Sequence, residues 1–352
     1  GRAGYLWSLA FAFKHCPALF DSRLKNFSNT QGGIVSRLVS RLRKQSIIDV
    51  IAEDIIEDGL SQAKQCKSRG DDISGMPMIW DMFGKQYFGA AHGSVGIAYS
   101  LLMWYERLGT KNAKKLLELI DALCELAAPP NRYLGVAAND REWSHYWCHG
   151  YPGLIPLLAK AYTMFKTPRY LDVARHCAEI VWREGLLRKG RGLCHGVYGN
   201  AYCFLTMFRL TRENRYLFYA TSFYHLSRTP EFLASVASYA DPQRGVQGVP
   251  DSPYSLMEGT AGEACFLIDL IYPDRSNFPG YETTTAPPIS ELLHESLYPL
   301  ALPKAMPLTN HINKNARLFF PGIWVVNLMN RQFCSSFLDR VYASTTELHK
   351  KT

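Results

Sequence analysis

Short apolar runs recur along this chain, each opening on two glycines three residues apart. The phrase reads HGSVGIAYSLL at 92–102, WCHGYPGLIPLL at 147–158, HGVYGNAYCFL at 195–205 and EGTAGEACFLI at 258–268. A fifth copy, GRAGYLWSLAF, occupies 1–11. Five copies of x-G-x-x-G leading into an apolar run make a repeat, and a repeat constrains the fold before any single element does. Gly93, Gly150, Gly196 and Gly259 are 57, 46 and 63 residues apart, room for a helical hairpin and a loop in each interval.

The text between the copies has helical periodicity. Residues 21–45 read as a polar, basic loop and then an amphipathic helix (SRLVSRLRK). Ile48, Ile51, Ile55 and Ile56 predict a helix over Ile47–Leu60, and the charged stretch Lys64–Ser74 is expected to be exposed. An aromatic loop, 76–93, delivers the second copy. Leu116, Leu117, Ile120, Leu123 and Cys124 mark one face of a helix over Lys111–Ala127, which Pro129 and Pro130 end. Thr167-Pro168 is a cap followed by a helix-starting proline, and that helix should run to about Arg183 and stop at Gly185. Another helix is predicted over Arg215–Leu226, and a loop over 241–253. No alternating segment reads as a strand. The prediction is an all-α fold with one helical hairpin per repeat.

After Glu282 the composition changes. TTTAPP at 283–288 is a linker composition, and 283–352 reads as a separate tail with one apolar island, LFFPGIWVVNLM, at 318–329. Residues 1–282 and 283–352 are thus treated as two regions. Because the first copy starts at residue 1, an N-terminal portion is expected to be missing.

Composition narrows the function classes. With 352 residues, 47% of them hydrophobic and 13% aromatic, the chain can bury a large core. A net charge of +8 is spread along the sequence, with no basic run dense enough for nucleic acid, so a small anionic ligand is the more modest inference. Nine cysteines without small-scaffold spacing point to a reducing compartment, with thiols acting as ligands or core residues. The longest apolar runs, Tyr5–Phe13 and Ile97–Tyr105, are far short of the ~20 residues a spanning helix needs. The expectation is a soluble, cytoplasmic protein, with peripheral attachment to the plasma membrane left open.

If the hairpins form a ring, the residue before each first glycine faces a common cavity. Those residues are His92, His149, His195 and Glu258. Two of them follow a cysteine, Cys148-His149 and Cys194-His195, and thiolate with imidazole is a zinc donor set. No CxxC pair is present, which excludes a finger-type site. On spacing alone, buried structural thiols stand as the alternative. Arg188-Lys189-Gly190-Arg191 lies just ahead and reads either as a carboxylate clamp or as a solvated loop. His145, His176 and His225 have no such context, and Tyr99, Tyr202 and Trp147 read as core.

Together WCHG (147–150), KGRGLCHG (189–196), GAAHG (89–93), SLMEGTAG (255–262) and FPGYE (278–282) resemble the LanC family, specifically its eukaryotic LanC-like members. The resemblance covers about 1–282. It implies an α/α toroid of seven helical hairpins, about five of them present, with zinc at one mouth. It further implies Cys148, Cys194 and His195 as zinc ligands, His92 as the general acid and Lys189 as a glutathione contact. The implied partners are glutathione or a similar thiol and dehydrated peptides or proteins, the implied chemistry thioether formation. A non-catalytic glutathione-binding or scaffold protein on the same fold is the alternative. A prenyltransferase-like zinc toroid is weaker, because no Asp-x-Cys pattern is present. The sequence departs from the family in three places. An arginine expected near 248 is Gly248 with Arg244 nearby, His145 stands one position before the usual histidine, and 283–352 has no counterpart.

Overall fold

Every glycine pair opens a helix. A computed structural model describes residues 1–15, 47–129, 137–138, 145–239 and 252–282. The chain divides into two units, Gly1–Leu302 and Pro303–Thr352, and all described residues belong to the first. Their helices run α1 (Arg2–His15), α2 (Ile47–Arg69), α3 (Ser94–Leu102), α4 (Thr110–Ala127), α5 (Tyr151–Phe165), α6 (Pro168–Glu184), α7 (Val197–Thr211), α8 (Asn214–Leu226), α9 (Pro230–Tyr239) and α10 (Thr260–Ile271). There is no strand among the described residues, so the fold is all-α, as the pattern predicts.

Burial separates the helices into two layers. In α7 every residue from Val197 to Met207 is buried, and in α5 the same holds from Tyr151 to Ala159. A helix buried all round has neighbours all round. The glycine-initiated helices α1, α3, α5, α7 and α10 each pack on the next in that order and form the inner layer. By contrast α4 buries only Ala113, Leu116, Leu119, Ile120, Leu123, Cys124 and Ala127, one stripe at i, i+3, i+4 spacing. It belongs to the outer layer with α2, α6 and α8, each packed on the inner helix before it. Four hairpins and the inner helix of a fifth make the α/α toroid architecture.

Several local expectations change. The inward position on α4 is Leu119, and Leu117, at the edge of the buried stripe, is only half-buried. Helix α2 runs on through Arg69, and within Lys64–Ser74 both Cys66 and Ile73 are buried. Thr167 has the extended conformation of a cap, yet its side chain makes no capping bond. The reading missed helix α9, which starts at Pro230 and where Thr229 Oγ1 accepts the Phe232 amide at 3.2 Å. The predictions for 21–45, most of 241–253 and the region 283–352 lie outside the described residues.

The inner layer closes on the segment after α10. Trp7 Nε1 of α1 donates to Tyr281 O at 2.9 Å, and the Tyr281 ring stacks on Tyr99 of α3 at 4.5 Å. Tyr281 Oη donates to Gly153 O of α5 at 3.3 Å, and Phe278 stacks on Trp147 at 4.5 Å. From α7, Arg209 pairs with buried Glu282 at 2.6 Å and Thr206 donates to it at 3.0 Å. Thus FPGYE, near the end of the repeat region, touches four inner helices. Tyr99, Tyr202 and Trp147 are buried in this core, as the sequence suggests.

Candidate metal centre

The glycines act through close approach more than through unusual dihedrals. Of the four first glycines only Gly150 has positive φ, +131°. At the second glycine of each copy the constraint is contact. A Cβ on Gly96, Gly153, Gly199 or Gly262 would land on the carbonyl oxygen six residues earlier, of Ala90, Trp147, Leu193 or Leu256. The loop before each inner helix therefore folds flat against the first turn, which only glycine allows.

The folded loops then join one another. Ala91 N donates to Cys148 O at 3.3 Å, Cys148 N to Cys194 O at 3.1 Å, and Cys194 N to Met257 O at 2.7 Å. These four residues hold the same position in their repeats, immediately before His92, His149, His195 and Glu258. One backbone ladder thus carries four ionisable side chains to a common place.

Within that place the donor atoms of Cys148, Cys194 and His195 all lie within 4.8 Å of one another. Among the described residues this is the one group of three or more His, Cys, Asp or Glu placed to hold a metal. Two sulfurs and an imidazole nitrogen suit zinc, and three protein ligands leave one coordination position open. No disulfide competes for these thiols, since all seven described cysteines are free.

The two thiols are electrostatically unequal. The Cys148 thiol donates to the Cys194 sulfur, which together with a hydrogen bond to His195 brings Cys194 down to about 5 against the opposing effect of burial. Cys148 is pushed up by the same contact and by burial. His195 is raised, first by its bond to Cys194 and further by the Glu258 carboxylate. Burial, with the charges of His92 and Lys189, lowers His149 to about 4.

The structure places the other predicted site residues around this triad. The His92 ring lies 5.3 Å from that of His149, and its charge acts on Cys194. Lys189 acts electrostatically on Cys148, His149 and His195, and its ammonium lies 4.4 Å over the centre of the Tyr146 ring. The basic loop divides, since Arg191 turns to Glu263 at 3.3 Å while Lys189 stays with the triad. His145 pairs with Glu184 at 3.1 Å, and burial lowers it. Gly248 and Arg244 lie outside the described residues.

Two neighbours escaped the sequence reading. Tyr87 packs against His149 at 5.2 Å and His92 at 6.2 Å, and Tyr146 meets His195 edge-on at 6.5 Å. Both sit in loops, where no periodicity marks a residue as inward. The only available signal was an aromatic residue a few positions ahead of a motif histidine.

Comparison with known proteins identifies the family. The family model described as lanthionine synthetase C-like protein matches residues 1–283. The chain is 33% identical over 285 residues to glutathione S-transferase LANCL1 of Danio rerio, an alignment covering 80% of this chain. It spans 60% of that relative's length. The chain belongs to the lanthionine synthetase C-like family, among its eukaryotic members.

Proposed function

We propose that this protein holds zinc through Cys148, Cys194 and His195 and binds glutathione, or a similar small thiol, for thioether formation with dehydroamino acids in peptides or with other electrophiles. The observation that carries the reading is the convergence of the three donor atoms within 4.8 Å on a backbone ladder that also brings in His92. The Danio rerio relative, named a glutathione S-transferase, supports the choice of thiol.

Zinc at such a site supplies a Lewis acid that keeps a bound thiol deprotonated at neutral pH. The residues of the chain do the rest. Lys189 takes a carboxylate of the thiol and so orients it. When sulfur adds to the β-carbon of a dehydroalanine, the C–S bond forms, the C=C π bond breaks and charge builds toward the α-carbon and its carbonyl. His92, exposed at the rim, delivers the proton that the α-carbon takes up. Among the described residues no helix is long and apolar enough to cross a membrane, and a cytoplasmic setting fits the free thiols.

Metal analysis should find about one zinc per chain, lost in Cys194→Ala. Incubation with glutathione and a dehydroalanine peptide should add the mass of glutathione to the peptide, and His92→Ala should slow this by about 100-fold. A folded protein without zinc would overturn the reading. Zinc and glutathione binding with no adduct, in wild type and His92→Ala alike, would instead identify a binding module on the same site.

A further inference from the structure

Tyr146 lies at the triad without belonging to it. Its ring carries the Lys189 ammonium 4.4 Å from the centroid, while its edge meets His195 at 6.5 Å and an interplanar angle of 84°. The two partners differ in how firmly they are held. Tyr146 N donates to His149 O at 3.2 Å, His145 and Gly150 form a backbone bridge, and His145 is clamped to Glu184. Lys189 stands on a loop beside Gly190, at φ +81°, and extends a flexible four-carbon stem. The ring is therefore the fixed half of the pair.

A ring holds an ammonium differently from a carboxylate. It lowers the energy of the cation over its face without cancelling the charge. The carboxylate of Glu263 is engaged by Arg191 at 3.3 Å, and the Glu258 carboxylate acts electrostatically on His195. The Lys189 ammonium is thus left to meet an incoming anion while the ring restricts its position. We propose that Tyr146 is a positioning residue that holds Lys189 over the thiol site and makes the site select a carboxylate-bearing thiol over one without carboxylates. This rests on the thiol-binding reading above.

The test compares glutathione with its diethyl ester, which keeps the thiol and loses both carboxylates, by titration calorimetry on the zinc-loaded full chain. Wild type should bind glutathione more tightly than the ester. Tyr146→Leu should weaken glutathione about fivefold and leave the ester unchanged, while Tyr146→Phe behaves as wild type. Lys189→Met should weaken glutathione at least as much as Tyr146→Leu, with no added loss in the double variant. Independently, the ε-methylene resonance of Lys189 should be shifted upfield by the ring current and return to its ordinary position in Tyr146→Leu. Circular dichroism and zinc content control for folding. Should Tyr146→Leu fail them, Tyr146→His, with a smaller ring face, should give an intermediate loss confined to glutathione. Equal losses for both ligands, or additive losses in the double variant, would overturn the assignment. If wild type binds both ligands equally, the thiol reading stands and the selection by Tyr146 fails. If it binds neither, the thiol reading fails and takes the selection with it.

Discussion

The amide of Cys148 donates to the carbonyl of Cys194 at 3.1 Å, joining two thiol-bearing residues 46 positions apart in the sequence. The bond is one rung of a ladder that continues to Ala91 on one side and Met257 on the other. The loops that present the ligands are thus fixed to one another by backbone, whatever their side chains hold. Metal removal should therefore leave the helices intact, unlike a zinc finger, which has no core without its ion. A chelator should strip the zinc while far-UV circular dichroism stays unchanged. Cys148→Ser and Cys194→Ser should both lose the metal and keep the spectrum.

The second glycines give a sharper test of the local fold. A Cβ on Gly199 would strike the Leu193 carbonyl, an atom that cannot move without displacing the neighbouring proposed ligand Cys194. Gly199→Ala should destabilise the protein by about 3 kcal/mol and reduce zinc binding with it. Gly109, ahead of α4, has φ −58° and nothing within 4 Å of its Cβ position. Gly109→Ala should stay within about 0.5 kcal/mol of wild type in urea unfolding. Equal effects at the two sites would sink the close-approach account.

These glycines explain why so much of the architecture was legible. A contact that admits only glycine leaves the same two letters in every copy, and the apolar run behind them reports a helix buried on several sides. The proposed ligand set was legible in part: two cysteines at the same repeat position before a histidine suggested a thiolate-imidazole site, while the choice of His195 over His149 came only from the family resemblance. Helix α9 was missed although Thr229-Pro230 carries the same start signal as Thr167-Pro168, because no glycine copy stood beside it to suggest a hairpin. Tyr146 and Tyr87 could not be assigned, because their roles depend on loop paths that three-dimensional contacts set. The place of FPGYE among four inner helices was also invisible, since every one of its partners is distant in sequence.

Acid sensitivity should trace in part to a histidine that is not among the proposed metal ligands. His225, in the last turn of α8, is lowered from the ordinary 6.5 by burial and by the charge of Arg228. As pH falls below 6.5 the unfolded chain takes up a proton at this site before the folded one does, so folded-state stability falls with pH through that window. His145 is shifted the same way by burial. The thermal midpoint should drop between pH 7 and pH 5.5, and His225→Gln should make that slope shallower. An unchanged slope in the variant would show that His225 does not contribute.

The ion pair that closes the repeat region should be the most sensitive single contact in the core. Arg209 and Glu282 have side chains only 11% and 4% exposed, so neither charge has water to replace a lost partner. Glu282 also accepts Thr206 Oγ1 at 3.0 Å and the Phe278 amide at 2.9 Å, which fixes the turn that presses Phe278 onto Trp147. Glu282→Gln keeps the shape and most of the acceptors but leaves Arg209 charged and buried, a loss of about 3–5 kcal/mol. Replacing both partners by apolar residues, Arg209→Met with Glu282→Leu, removes the orphaned charge and should recover part of that loss. Recovery should remain incomplete, because leucine cannot accept the Phe278 amide. Urea unfolding of Arg209→Met, of Glu282→Leu and of the double variant measures the coupling, and simple additivity would show that the pair does not hold the turn.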